Sequence, residues 1–270
     1  MRRIIRVVGA LAVFISIDIS AAQAKFCGDD IGGVRIACAC GDVVASDTVL
    51  LPGDPVVSGR CEVHGLIVRA DRVAESIHVN LGGLAIVGSG HGIGIKIESG
   101  GTDGAVIVGG DPPRLGEVVG FGIGVTSAKP NALARLERVS AKGNVDGGFQ
   151  LRQSGAVVQD LLAEKNGGHG IQVNGTGGRF LGLRANENHH RGISIAAPGA
   201  IVSGSGNFNG THGVVVPSPK SRLESVEAHG NAEDGVVTRR RTQTLAGVQA
   251  TGNGKANLRT PKRGPTEVLR

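Results

Sequence analysis

One asparagine recurs along this 270-residue chain at nearly constant spacing: Asn144, Asn166, Asn188, Asn209, Asn231 and Asn253, at intervals of 22, 22, 21, 22 and 22 residues. A fixed period of that size requires a stack of near-identical coils rather than a globule closed around one centre. In such a stack an asparagine amide donates to and accepts from its counterpart one coil away. It also tolerates the left-handed backbone of a tight turn. The spacing therefore predicts an internal ladder that satisfies buried polar groups from coil to coil. It also supplies a ruler for every other residue.

Measured from the asparagine, apolar residues fall eight, five and three positions upstream. They are Leu136, Val139 and Ala141; Val158, Leu161 and Ala163; Phe180, Leu183 and Ala185; Leu223, Val226 and Ala228; and Leu245, Val248 and Ala250. The coil ending at Asn209 departs, with Ile201, Gly204 and Gly206. Four or five residues downstream comes a glycine and an alternating apolar pair: Gly148-Phe149 with Leu151, Gly170-Ile171 with Val173, Gly192-Ile193 with Ile195, Gly213-Val214 with Val216, then Gly235-Val236. Alternation at period two is the mark of a strand with one face in and one face out. Each coil therefore holds at least two strands separated by a turn at the asparagine.

Before Asn144 the period loosens. Gly92-Ile93 with Ile95 and Gly122-Ile123 with Val125 lie 30 residues apart, and Gly148 follows after 26 more, which predicts insertions at 111–117 and 129–131. Inserted residues become loops on one face of a solenoid, often the binding face. Asp111, Arg114, Glu117 and Lys129 are therefore candidate binding residues. About nine coils at ~4.8 Å each make a rod of roughly 45 Å. Leucine-rich repeats share the register of apolar residues before the asparagine. Here, however, Val and Ala outnumber Leu at those positions, and the half-coil after the asparagine reads as strand. The fold expected is all-β: a single-stranded right-handed parallel β-helix of about 22 residues per coil.

The two ends differ from the repeat. Arg2, Arg3 and Arg6, a short apolar run over 7–17 and Ala22-Gln23-Ala24 have the layout of a cleaved signal peptide, residues 1–24. The apolar run is too short to span a bilayer and no later segment reaches that length, so no membrane span is expected after cleavage. The mature chain is expected to be secreted or periplasmic. Cys27, Cys38, Cys40 and Cys61 are clustered near its start. In an exported chain they read as two disulfides, with three connectivities open; Cys27–Cys38 with Cys40–Cys61 is the expected one. A zinc site would need wider spacing than Cys38-Ala39-Cys40 and a nearby histidine. The expected organisation is a disulfide-containing cap over 25–65, the solenoid over 66–254 and a basic flexible tail over 255–270. The net charge is +6, and loss of three Arg and one Asp with the signal leaves +4. Arg239-Arg240-Arg241 and the tail carry much of it.

Several segments carry a family likeness. Cys40-Gly41-Asp42, Leu50, Cys61, then Gly65-Leu66-Ile67-Val68-Arg69-Ala70, Val79-Asn80-Leu81-Gly82-Gly83 and Ile86-Val87-Gly88 resemble the opening segment of secreted right-handed parallel β-helix proteins. In that family Cys-Gly-Asp and a later Cys frame the first turn; Asn80 stands where the family often has Asp. The later coils resemble the repeat shared with pectate-lyase-like proteins. The likeness covers most of 38–254 and implies the fold. The same scaffold hosts lyases, hydrolases, epimerases, adhesins and non-catalytic periplasmic proteins, so it implies no single activity.

One column of polar residues invites a chemical reading. His169, Arg191, His212 and Asp234 each precede a turn glycine and lie one coil apart, with His189 and His190 beside them and Asp146 one position off. Arg can neutralise a uronate carboxylate while His or Asp removes the adjacent proton, which makes these four candidate catalytic residues. Turn residues are polar and exposed for simpler reasons, however. With no tyrosine, the chain lacks the Tyr-Gly-x-Asp-Pro-His motif of mannuronan epimerases, of which Asp111-Pro112-Pro113 is a poor echo. Its only paired aspartates, Asp29-Asp30, precede the first coil, and no carboxylate cluster for calcium is evident. Absent Trp and Tyr and only six Phe remove the usual stacking platforms for sugars and bases, and no specific nucleic-acid partner is expected. No cofactor and no metal are expected. The expected function is non-catalytic: an exported surface that binds a polysaccharide or a cell-surface partner, its oligomeric state unset. The alternatives are a uronate lyase, epimerase or hydrolase, and a copper-handling periplasmic protein. The last has eight histidines but no clustered Met and Cys ligands for Cu(I).

Overall fold

Period-two alternation becomes parallel pairing between successive coils throughout the described chain. The computed structural model describes residues 25–69, 76–99, 103–238, 243–260 and 267–269. The expected signal at 1–24, Ala70, Arg239, Arg240, Arg241 and most of the tail past 260 lie outside the described residues. Two large sheets run the length of the stack. The first has 11 strands: Phe26–Cys27, Asp42–Val44, His64–Arg69, Ile93–Ser99, Ile123–Ser127, Gly147–Ser154, His169–Thr176, Ile193–Ala196, Val214–Val216, Val236–Thr238 and Leu258–Arg259. The second has 16 strands and folds around a bend. Every paired strand is parallel to its neighbour in the next coil, as in Gly147–Ser154 on His169–Thr176. The molecule is a parallel β-solenoid.

Pairing extends beyond the expected 66–254. Residues 26–61 already supply rungs to both sheets, Leu258–Arg259 pairs with Val236–Thr238, and Glu267–Leu269 pairs with Thr244–Ala246. The first sheet therefore counts more rungs than the nine coils expected.

The core is made of stacked columns. In the first sheet the inward positions hold Leu66, Ile95, Val125, Phe149, Ile171, Ile193, Val214 and Val236, all buried. The facing columns of the second sheet hold Leu136, Val158, Phe180, Val202 and Leu223. Each such side chain contributes roughly 1.5–3 kcal/mol by leaving water. Val202, not Ile201, fills this column in the coil that ends at Asn209. That coil is one residue short. The deficit is absorbed by a register shift after Val202, where Gly204 adopts φ +141° with space for no Cβ beside the Leu183 carbonyl.

The asparagine ladder forms as the spacing requires. Each Nδ2 donates to the Oδ1 one coil on: Asn144 to Asn166 at 3.0 Å, Asn166 to Asn188 at 2.8 Å, Asn188 to Asn209 at 3.1 Å, Asn209 to Asn231 at 3.0 Å and Asn231 to Asn253 at 2.9 Å. Each Oδ1 also accepts the backbone N–H of the preceding asparagine, and each Nδ2 gives its second hydrogen to a carbonyl such as Ala141 or Ala163. Phe121 starts the ladder by donating its N–H to Asn144 Oδ1, and Asn257 ends it by accepting from Asn253.

The left-handed residue at this corner is not the asparagine. It is the residue before it: Gly143, Lys165, Glu187, Phe208, Gly230 and Gly252 all have φ between 55° and 62°. Keeping the asparagine out of that conformation points its amide inward. The turn glycines follow from the ladder too. A Cβ on Gly170 would lie 2.6 Å from Asn188 Nδ2, and one on Gly192 2.5 Å from Asn209 Nδ2.

That contact corrects the register of the early coils. The equivalents of Gly148 are Gly124 and Gly94, not Gly122 and Gly92, because Val125 pairs with Phe149 and Ile95 with Val125. The disulfides are Cys27–Cys38 and Cys40–Cys61, with Cα atoms 5.1 and 5.3 Å apart. They tie the lowest rungs together, beside the short helix Pro55–Ser58.

Candidate functional site

Strand alternation fixes what the first sheet shows to the outside. Between the buried residues Phe149 and Leu151 stands Gln150, and between Ile171 and Val173 stands Gln172. Pairing aligns them in one column: Lys96, Thr126, Gln150, Gln172 and Ser194. Two positions further along the strands, Arg152 pairs with Asn174. Thr126, Ser127, Ala128, Gln150, Leu151, Arg152, Gln172 and Asn174 line an open groove of about 310 Å³. Carboxamides spaced one coil apart offer donors and acceptors at a repeat of about 4.8 Å. Arg152 adds an exposed cation at the groove edge. Beyond Ser194 the column becomes Val215 and Val237, both buried, and the polar face ends.

The sequence did not single out these amides. The signal was present: Gln150 and Gln172 each follow a ladder asparagine by six residues. Glutamine carries no reactive chemistry of its own, so only its spacing marks it.

His169, Arg191, His212 and Asp234 do form one column, at the start of the same strands. Gly170 donates its N–H to the Arg191 carbonyl, Gly192 to that of His212 and Gly213 to that of Asp234. Three of the four side chains, those of His169, His212 and Asp234, are tied to backbone. His169 Nδ1 accepts the Arg191 N–H at 3.2 Å, His212 Nδ1 accepts the Asp234 N–H at 3.2 Å, and Asp234 Oδ1 accepts the Ala256 N–H at 3.1 Å. His64, early in the same column, accepts the Ile93 N–H in the same way. His91 lies off the column in an exposed turn, and Phe121 is buried at the foot of the ladder.

Asp234 departs from the exposed position expected of a turn residue. It is 2% exposed and also pairs with Arg259 at 3.2 Å. Burial alone would raise its carboxyl. The Ala256 N–H, the Arg259 guanidinium and His212 outweigh burial and hold it below its ordinary value. His212 is lowered by burial, against the pull of Asp234 and Glu233. His169 is lowered by burial and then by the charges of Arg191 and His190.

The loop candidates are not brought together. Asp111 and Arg114 are exposed in the loop between Ala105–Val108 and Gly116–Val119, both strands of the second sheet. Lys129 is exposed at a different corner, between Ile123–Ser127 and Leu133–Glu137. Glu117 belongs to a strand and pairs with Lys142 at 3.0 Å. Among the described residues no group of three or more His, Cys, Asp or Glu side chains is placed to hold a metal ion. No helix among them is long and apolar enough to cross a membrane. Comparison with protein-family models, curated proteins and solved structures finds no match to this chain.

Proposed function

We propose that this chain is an exported right-handed parallel β-helix, of the pectate-lyase-like kind, that binds a linear glycan without turning it over. The observation that carries this reading is the amide column. Gln150 and Gln172, with Asn174 and Thr126, present neutral hydrogen-bonding groups at one-coil intervals along an open groove on a rigid sheet, and Arg152 adds a cation at its edge. A row of donors and acceptors on a scaffold that does not rearrange suits an extended polar polymer, and hydrogen bonds take the place of aromatic stacking. In this reading residues 1–24 direct export and are removed, and the disulfides form outside the cytoplasm.

The backbone duties of His169, His212 and Asp234 favour binding over catalysis. Each spends an acceptor atom on the next coil's N–H, and Asp234 is buried against Arg259. The test is a glycan array probed with the chain beginning at Lys25, followed by titration of the best ligand. Gln150→Ala with Gln172→Ala should weaken binding about tenfold or more, two lost hydrogen bonds at roughly 1 kcal/mol each, at unchanged melting temperature. Absence of any glycan ligand, or release of unsaturated uronate products absorbing in the ultraviolet, overturns the reading.

A further inference from the structure

The corner that carries the histidine column holds a cation, Arg191. Arg191 is half-buried and makes no ion pair among the described residues. Its neighbours in the column are His169 below and His212 above, and His190 adjoins it in sequence. The His169 and His190 ring centroids are 5.5 Å apart, and those of His190 and His189 5.3 Å.

The backbone contact of His169 decides which ring atom it shows to the outside. Because Nδ1 accepts the Arg191 N–H, the neutral ring carries its proton on Nε2. That N–H is a donor held in place by the backbone contact, with no side-chain partner among the described residues. His212 differs: its Nε2 lies 3.3 Å from Glu233 Oε2, and Glu233 also pairs with Lys255. Glu233 and Asp234 are thus committed on the His212 side, to His212, Lys255 and Arg259, and Asp146 lies on the far side of His169, two coils from Arg191. The column neighbours of Arg191 are imidazoles. A planar guanidinium beside imidazole N–H groups is suited to an oxyanion, which it can engage through two parallel hydrogen bonds.

We infer that His169, His190 and Arg191 form an oxyanion-binding site, separate from the amide groove, that takes a carboxylate, sulfate or phosphate group. Arg191 supplies the charge, His169 Nε2–H a fixed donor and the exposed His190 ring an adjustable one. The site does not depend on glycan binding in the groove. His169 and Gln172 belong to the same strand, His169–Thr176, three residues apart.

The test is titration of the chain from Lys25 with inorganic phosphate, inorganic sulfate and monomeric glucuronate, following histidine-ring proton and nitrogen resonances by NMR. The expected result is saturable shifts in the His169 and His190 rings, with His64 unmoved although it makes the same kind of backbone contact. Preference for glucuronate marks a carboxylated ligand; preference for phosphate or sulfate marks those groups. Arg191→Gln should weaken binding about tenfold, and Arg179→Gln, at an exposed cation outside both sites, should leave it unchanged. No saturable shift with any of the three anions overturns the site, as does binding that survives Arg191→Gln. The wild-type titration decides the question even where a variant folds poorly.

Discussion

The solenoid has two halves built on different rules. From Asn144 onward each coil takes 21 or 22 residues, and one asparagine per coil meets its partners in the coils on either side. Before Asn144 the described residues form no ladder, and the equivalent glycines Gly65, Gly94 and Gly124 are 29 and 30 residues apart. Larger apolar side chains fill that half: Leu50, Leu66, Ile77, Leu81, Ile86, Ile95, Ile97 and Ile107 are all buried. Two disulfides close its end. A hydrogen-bonded column demands the same atom at the same height in every coil, so the corner admits no slippage. Apolar packing asks only for volume, so loops such as 109–115 can grow between strands. The join is Phe121, which takes the ladder position with a buried aromatic ring and keeps only its backbone N–H in the ladder.

The largest effect that separates the halves is expected from Asn188→Ala. It leaves the Asn166 N–H without its acceptor and takes one hydrogen bond each from Asn166 Nδ2, the Ala163 carbonyl and Asn209 Oδ1. The expected loss is about 4 kcal/mol in urea denaturation. A loss near 1 kcal/mol would make the ladder ornamental. Next comes removal of Cys40–Cys61, which spans 21 residues. Cys40→Ala with Cys61→Ala should cost about 3 kcal/mol. Since solenoid coils couple mainly to neighbours, proteolysis should then nick residues before about 90 first, with the ladder coils intact.

A smaller effect is expected from Gly170→Ala. The new Cβ meets Asn188 Nδ2 and the Gly192 carbonyl at 2.6 and 2.7 Å, for about 2 kcal/mol by thermal melting. Gly53→Ala in the other half meets nothing within 4 Å and should stay within about 0.5 kcal/mol. The smallest effect concerns pH. His169 and His212 are held below their ordinary value of 6.5 in the folded chain, chiefly by burial. The unfolded chain therefore binds more protons as pH falls through 6.5, and their contribution, complete above that value, is lost below it. The melting temperature should drop from pH 7.5 to 5.5, and His169→Gln should flatten that slope. An unchanged slope would remove His169 from the account.

Legibility in the sequence follows the same division. The ladder and the inward columns could be read because each repeats; the four cysteines could be read as two disulfides, with three connectivities open. Three features could not. Lys165, Glu187 and Phe208 adopt left-handed backbone although none is a residue that favours it, because the inward turn of the next asparagine sets their conformation. Asn257 closes the ladder from four residues away, outside the period. His64 belongs to the histidine column, but the longer coils between it and Gly147 hide the register that only pairing reveals. Among the site residues, the column His169, Arg191, His212 and Asp234 was visible by spacing. Its backbone contacts were not, and neither was the burial of Asp234.

The most direct test of the ladder is amide hydrogen exchange, resolved by residue, on the wild-type chain and on Asn188→Ala. If the ladder holds the later coils together, the N–H groups of Asn144, Asn166, Asn209 and Asn231 exchange slowest in the wild type. In the variant, protection at Asn166, whose N–H loses the Asn188 acceptor, collapses, while that of Val44, Leu66 and Ile95 is retained. Equal loss of protection along the whole stack, or none at Asn166, would contradict the account.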